Sequence, residues 1–225
     1  MVTRILFEKE LEDLHMELIK MGGMVEESIE RTIEALNKKD AKIAREVFAN
    51  DDVIDEQEKI IERKCLNVIA RQQPLAKDLR FISTTLKIIT DLERIADQSA
   101  DIAEITLRMI DEPYIKPLID IPKMAEFTRI MVKESIDAYV QDDIVLARKV
   151  CNDDNIVDDL FIKITLDLVH IMKADSNTVD QAINLMFVAK YLERMSDHAT
   201  NIGEWVIYNI TGEQKHVPGF EISQR

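Results

Sequence analysis

Two copies of one short acidic motif, 100 residues apart, are the residues of this chain best suited to chemistry. The motif is Leu-Glu-Arg-x-x-Asp, which places Glu93 four positions before Asp97 and Glu193 four positions before Asp197. In an α-helix, side chains four positions apart lie on one face about 5–6 Å from each other, and like charges there weaken the helix. A bound cation is the simplest feature that would favour such pairs.

A second set of acidic pairs has the same spacing and the same duplication. Asp51 and Asp55 are four positions apart, and the pair recurs 103 residues later. Carboxylates without Cys or His form a hard oxygen-ligand site, which suits Fe³⁺, Mn²⁺, Mg²⁺ or Ca²⁺ better than a structural Zn²⁺. One turn beyond each Leu-Glu-Arg motif, an Asp and an Asn extend the possible ligand set. The predicted ligands are therefore Asp51, Asp55, Glu93, Asp97, Asp101, Asp154, Asp158, Glu193, Asp197 and Asn201.

Two alternatives to a metal site stay open at this point. Acidic pairs can be solvated faces of an acidic protein, and Arg94 and Arg194 could neutralise the carboxylates by ion pairing. A carboxylate-bridged di-iron enzyme or storage bundle is a further alternative, since His15 completes a Glu-x-x-His motif. That motif occurs once, whereas a di-iron bundle needs two, so we expect a surface histidine there. His170 lies in an apolar run and is predicted to be a core residue. The sequence contains no phosphate-binding loop or nucleophile motif, so we predict no enzymatic activity.

Long stretches of helical periodicity must position these side chains. Apolar residues recur every three or four positions from residue 5 to residue 36, and similar patterns follow along the chain. Residues 24–29 are echoed at 131–136, and residues 44–47 at 147–150. The sequence therefore predicts an all-α fold of six long helices, forming two tandem antiparallel three-helix bundles related by internal duplication.

Turn residues and prolines set the predicted boundaries. Residues 1–112 form the first bundle, 113–122 a linker with three of the five prolines, 123–212 the second bundle and 213–225 a mobile tail. Asp40 is a predicted N-cap of the second helix, which ends before Pro74. The pair Gly22-Gly23 in the first helix predicts a close helix–helix approach or a bend.

Composition excludes some functions. The chain has 225 residues, 43 of them acidic and 29 basic, for a net charge of −14. That charge argues against nucleic-acid binding, which needs a basic surface. Without a secretory leader or an apolar run of membrane-spanning length, we predict a cytoplasmic protein that reaches a membrane only through partners. The two cysteines are predicted to be reduced thiols.

Several motifs together resemble those of the PhoU family, the accessory regulators of bacterial phosphate-specific ABC transport. These are the two Leu-Glu-Arg-x-x-Asp copies, Met21-Gly22-Gly23-Met24-Val25-Glu26, Arg71-Gln72-Gln73-Pro74 and Asp78-Leu79-Arg80. The resemblance covers residues 5 to 212. Ala96 and Ser196 stand where the family motif often has Gly, and both are still small.

The resemblance implies a function, partners and a cofactor. It implies a cytoplasmic regulator that restrains phosphate uptake and the phosphate-starvation response by contacting the transporter's ATPase subunit and the sensor histidine kinase. It also implies a homodimer or higher oligomer. The family's acidic motif implies multinuclear iron clusters on the paired carboxylates, with manganese, magnesium, zinc and calcium as alternatives. We accordingly expect a metal-binding adaptor. The di-iron enzyme or storage bundle is its main rival, and a helical adaptor without metal is the second.

Overall fold

The computed structural model describes residues 2–213, with side chains from residue 6 onward. Within these residues there is no β-strand, and none of the helices is long and apolar enough to cross a membrane. The predicted all-α fold is confirmed. The predicted mobile tail lies, except for its first residue, outside the described residues. The helices are α1 Val2–Lys38, α2 Ala41–Gln72, α3 Lys77–Arg108, α4 Asp120–Gln141, α5 Ile144–Ala174 and α6 Val179–Thr211.

The first turn of each bundle is built in the same way. Asp40 caps α2 and Asp143 caps α5, each accepting hydrogen bonds from the backbone N–H groups two and three residues later at 2.8–3.1 Å. The residues before them, Lys39 and Asp142, both have left-handed backbone angles. Such caps stabilise a helix by about 1 kcal/mol each. The duplication therefore extends to the turns, and the predicted cap at Asp40 is confirmed.

The segment between the bundles, residues 109–119, lies three to four residues earlier than the predicted linker. Helix α4 begins at Asp120, so Pro122 lies in its first turn rather than in the predicted linker. Proline is tolerated there because the first N–H groups of a helix have no acceptor within that helix. The segment is also anchored: Tyr114 Oη donates to the carbonyl of Leu36 at 2.6 Å, and Gln181 Oε1 accepts from the N–H of Ile115 at 2.6 Å.

Four helices form the inner part of the molecule. In the described residues, α1 packs against α4 and α3 packs against α6, while α2 contacts only the first bundle and α5 only the second. One continuous apolar cluster runs through both bundles. The two halves thus share a core, with α2 and α5 on opposite outer sides.

Helices α3 and α6 cross in an antiparallel sense. Arg80 Nε donates to the carbonyl of Asn209 at 2.9 Å, and further along α3 Asp91 Oδ1 lies 2.8 Å from His198 Nδ1. Sequence numbers therefore rise along α3 as they fall along α6. This arrangement fits the approximate symmetry that the duplication predicts.

Glycines mark two close helix contacts. A Cβ added to Gly22 would lie 2.8 Å from Ile136 Cδ1 on α4, and one added to Gly203 would lie 3.0 Å from the carbonyl oxygen of Ala147 on α5. A Cβ added to Gly23 would meet nothing within 4 Å. The predicted close approach is therefore made by Gly22, whereas Gly23 leaves open space.

Two Gly→Ala substitutions are expected to change stability in opposite directions. Gly203→Ala should lower the free energy of unfolding by about 1 kcal/mol. Overpacking destabilises the fold by about 1–3 kcal/mol, and the higher helix propensity of Ala offsets about 1 kcal/mol of this loss. Gly23→Ala should raise it by about 0.5–1 kcal/mol, since only the propensity changes. Thermal unfolding of both variants checks this, and an equal rise in Tm would contradict the packing argument.

Candidate metal centre

The antiparallel pairing of α2 and α3 brings three of the predicted ligands together. One carboxylate oxygen from each of Asp51, Asp55 and Asp97 lies within 4.8 Å of the others. Within residues 2–213, no other group of three or more His, Cys, Asp or Glu side chains has its potential ligand atoms within this distance of one another. Asp51 and Asp55 come from one face of α2, and Asp97 faces them from α3. The fourth acidic group, Glu93, lies one turn along α3 from Asp97. We call Asp51, Asp55, Glu93 and Asp97 the first cluster.

Several oxygens of the first cluster are buried and lack a hydrogen bond. They are Oδ1 of Asp51, Oδ1 of Asp55 and Oε2 of Glu93. A buried carboxylate oxygen without a partner is costly, because it has lost water and gained nothing in return. Hard oxygen donors that converge and lack partners are what a divalent or trivalent cation requires. The residues present therefore fit a metal ion.

Burial and mutual repulsion raise pKa values in the first cluster. Burial, followed by the charge of Asp97, raises the pKa of Asp51 to about 6. The same two causes raise the pKa of Glu93 to about 7, against a smaller lowering by Arg94. Burial also raises the pKa of Glu58, which lies beside this cluster on α2. Near neutral pH the cluster therefore holds negative charge only at a cost, which a cation would relieve.

The ion pair that could replace a metal is only partly formed. Arg94 Nη1 donates to Asp97 Oδ2 at 3.0 Å, and Arg94 Nε lies 3.3 Å from Glu93 Oε2. The arginine side chain is 53% exposed and pairs with residues of its own helix. Within the described part of the chain, Oδ1 of Asp51 and Oδ1 of Asp55 have no hydrogen bond, and Lys59 Nζ lies 3.9 Å from the other carboxylate oxygen of Asp55.

Helices α5 and α6 build a related second cluster from Asp154, Asp158, Glu193 and Asp197. Burial and then Glu193 raise the pKa of Asp197 to about 6, and burial raises the pKa of Asp154 and of Asp158. Oδ1 of Asp154 is buried without a hydrogen bond. The duplication therefore places both sets of carboxylates on neighbouring helices, as predicted.

A lysine distinguishes the second cluster from the first. Lys190 Nζ pairs with Glu193, whose side chain is only 14% exposed. The position 100 residues earlier is Thr90, which instead donates to Glu58 at 3.2 Å. Lys190 was not among the predicted site residues, although a cation three residues before an acidic residue on the same helix is a visible signal of an ion pair.

The two outer predicted ligands connect the bundles. Asp101 accepts a hydrogen bond from Tyr191 of α6. Burial, and to a smaller extent the charge of nearby Asp97, raises the pKa of Asp101. Asn201 Nδ2 donates to Asp91 Oδ1 at 3.3 Å. Asp101 thus lies at the edge of the first cluster, whereas Asn201 has a partner on α3.

No described histidine joins the group of carboxylates between α2 and α3. His15 stacks on Tyr139 with ring centroids 5.4 Å apart, and burial lowers its pKa. His198 contacts Asp91. The prediction that His170 is a core residue was wrong, because it lies on the exposed face of α5. Its apolar run also includes Ile162 and Leu166, which are each 55% exposed, so that run is not uniformly buried.

These features define a duplicated helical protein with two clusters of carboxylates, one in each three-helix bundle. A family model for the PhoU domain matches the chain twice, at residues 18–106 and 121–206. The chain therefore belongs to the PhoU family.

Named relatives and a solved structure agree with this assignment. A phosphate-specific transport system accessory protein PhoU homolog of Clostridium acetobutylicum is 44% identical over 95% of this chain and 98% of its own length. The phosphate-specific transport system accessory protein PhoU of Escherichia coli is 31% identical over 97% and 91%. The crystal structure of PhoU from Pseudomonas aeruginosa superposes with a TM-score of 0.89 at 34% identity, covering 92% of this chain and all of that one.

The metal-free protein is expected to lose stability as pH rises from about 4 to about 7. The pKa values of Asp51 and Glu93 lie above their ordinary values of 3.8 and 4.5, so the folded state binds more protons than the unfolded state in this window. Stability then falls as these groups ionise. Thermal unfolding of chelator-treated protein at about pH 5 and about pH 7.5 measures this loss.

The double variant Asp51→Asn/Glu93→Gln should show a smaller loss of Tm between the two pH values. Asp52→Asn/Glu56→Gln is the matched control, because it removes an exposed acidic pair of the same spacing from α2. An unchanged or rising Tm in the metal-free parent protein would contradict the burial argument.

Proposed function

We propose that this protein regulates phosphate uptake and phosphate-starvation signalling as a metal-binding adaptor in the cytoplasm. Family membership supports the regulatory role, because relatives matching along nearly all of their own length are named accessory proteins of phosphate-specific transport. The partners we propose are the ATPase subunit of the phosphate transporter and the phosphate-sensing histidine kinase. We also expect a homodimer or higher oligomer.

The geometry of the first cluster is the main support for the proposal that this protein binds metal. Three carboxylate oxygens lie within 4.8 Å of one another, and two of the contributing residues have buried oxygens without a hydrogen bond. Oxygen-only donors favour a hard ion, and the acidic motif of the PhoU family makes iron our first choice, followed by manganese and magnesium. Zinc and calcium are the remaining alternatives. Asp51, Asp55, Glu93 and Asp97 would hold the ion, and Asp101 could extend the set.

The second cluster should bind metal less readily. Lys190 already compensates part of the charge of Glu193, so an incoming cation must displace it. We therefore expect the first cluster to fill at a lower concentration of free metal.

Metal binding would change the surface that partners meet. The protein is strongly acidic, and loading both clusters would neutralise up to eight carboxylates on α2, α3, α5 and α6. That change lies on the outer helices α2 and α5 as well as on the inner pair. We propose that it controls the affinity of the adaptor for its partners.

The alternative of a di-iron enzyme or storage bundle has less support. It requires histidine ligands, and the three described histidines have other surroundings: His15 stacks on Tyr139, His198 contacts Asp91, and His170 is exposed. We therefore propose a regulatory protein rather than an enzyme.

Protein purified without a metal-affinity tag should contain at least about one iron or manganese ion per chain by elemental analysis. The triple variant Asp51→Asn/Asp55→Asn/Asp97→Asn should lose that ion, because it removes the converging charges while keeping side-chain volume. The exposed pair Asp52→Asn/Glu56→Gln should keep it. Equal metal content in all three proteins would contradict a site between α2 and α3.

Partner binding should depend on the metal. The affinity of the chain for the isolated ATPase subunit and for the cytoplasmic part of the histidine kinase can be measured with and without chelator. We expect a change of about fivefold or more, typical of coupling between two sites, and no chelator effect in the triple variant. If the affinity for the partners changes neither with chelator nor in the triple variant, the adaptor is not controlled by metal.

A further inference from the structure

Residues of α2, α3 and α6 line a cavity of about 840 Å³. Its apolar wall includes Leu86, Trp205 and Tyr208, and the two aromatic rings meet edge to face with centroids 6.2 Å apart. The volume is in the range of sites that bind small groups, roughly 300–1,000 Å³. We call this cavity the α3–α6 groove. Its charged residues are Glu58, Glu62, Asp91, Glu204 and Lys87.

The groove has more negative charge than it can pair. Within the described part of the chain, Glu62 and Glu204 have no hydrogen bond or ion pair, and Glu58 accepts only from Thr90 Oγ1 at 3.2 Å. The one lysine, Lys87, places Nζ 5.7 Å from the centre of the Trp205 ring. Lys87 therefore lies over the aromatic wall, and within the described residues Glu58, Glu62 and Glu204 have no ion pair with it or with another cation.

The duplication shows what the groove lacks. One hundred residues before Glu204 is Glu104, and Arg108 Nη2 donates to its Oε1 at 2.8 Å. In the groove the position of that arginine is taken by Tyr208.

A second cation is missing from the groove in the same way. Lys190 pairs with Glu193 and lies 5.4 Å from the centre of the Phe161 ring, whereas the groove has Thr90 at the corresponding position. At these two positions the repeat has the cations Arg108 and Lys190, whereas the groove has the neutral Tyr208 and Thr90; Lys87 remains the groove's own cation.

We propose that the α3–α6 groove binds an arginine side chain presented by a peptide segment of a partner protein. A guanidinium group is planar, so it stacks on Trp or Tyr while its N–H groups donate to carboxylates. Glu62 and Glu204 supply the acceptors, and Trp205 with Tyr208 supplies the stacking surface. None of these residues belongs to either carboxylate cluster, so the proposal stands apart from metal binding.

Trp205 is the single tryptophan of the chain, so its fluorescence reports on the groove directly. The probe is a blocked alanine-based peptide with two arginines, compared with the same peptide containing citrulline, which is neutral and nearly equal in shape. The arginine peptide should change the emission in a saturable manner that weakens with added salt, and the citrulline peptide should not.

Three variants test whether binding of the arginine peptide depends on the groove itself or only on the acidity of the whole protein. Glu62→Gln/Glu204→Gln should weaken binding about tenfold, because each lost charge pair is worth a few fold. Glu104→Gln is the matched control and should bind as the parent does, since Glu104 is the repeat counterpart and pairs with Arg108. Tyr208→Arg should abolish binding by placing a cation beside Glu204, as Arg108 is beside Glu104.

Three results would overturn the proposal. They are equal responses to the arginine and citrulline peptides, unchanged affinity in Glu62→Gln/Glu204→Gln, and tighter binding of spermidine than of the arginine peptide. The last result would make the groove a site for free polyamines. Circular dichroism of each variant verifies folding, and the exposed Glu62 allows a single Glu62→Gln variant to repeat the test with the least disturbance.

Discussion

Helices α3 and α6 pack against each other, and each is also packed against both other helices of its own bundle. Their residues are therefore held on several sides at once. On α3, Leu92, Ile95 and Ala96 are almost wholly buried around Glu93, and on α6 Leu192, Met195 and Ser196 surround Glu193. This packing depends on the apolar face, and it fixes the direction in which the acidic side chains project. Because the backbone of these helices is held in place, it cannot shift to make the carboxylates more exposed to solvent.

The acidic clusters follow from that constraint. Each cluster is half-buried between an outer helix and an inner one, so desolvation is the first cause of its raised pKa values and repulsion the next. The two halves relieve the resulting cost differently. In the second, Lys190 compensates Glu193; in the first, Arg94 pairs from the exposed side and leaves oxygens of Asp51 and Asp55 without partners. The two halves of the protein therefore have corresponding carboxylates, but different cations pair with them, Arg94 in the first cluster and Lys190 in the second.

Much of this arrangement could be predicted from the sequence because duplication repeats a physical signal. One acidic pair at helical spacing carries little information, but two pairs that recur at nearly the same offset identify a shared helix face. Asp40 was predictable as a cap because its short side chain must accept from the next turn. The antiparallel α2–α3 hairpin then fixed which pairs would meet.

Other features depend on contacts that periodicity does not encode. Whether Lys190 turns toward Glu193, or Asn201 toward Asp91, depends on rotamers and on the packing of α3 with α6. His170 was misassigned because a mostly apolar helix can still expose one stripe of residues. The start of α4 before Pro122 reflects the lack of acceptors for the first N–H groups of a helix, which makes proline a poor marker of a linker's end. The α3–α6 groove arises from α2, α3 and α6 together, and no segment of the sequence indicates it alone.

Anomalous X-ray diffraction would show whether the carboxylates between α2 and α3 form a metal site. Crystals grown with Mn²⁺ would be measured on both sides of the manganese absorption edge. We expect an anomalous peak about 2.0–2.6 Å from carboxylate oxygens of Asp51, Asp55 and Asp97. Ordered protein with Arg94 still paired to Asp97, and no peak between α2 and α3, would contradict it.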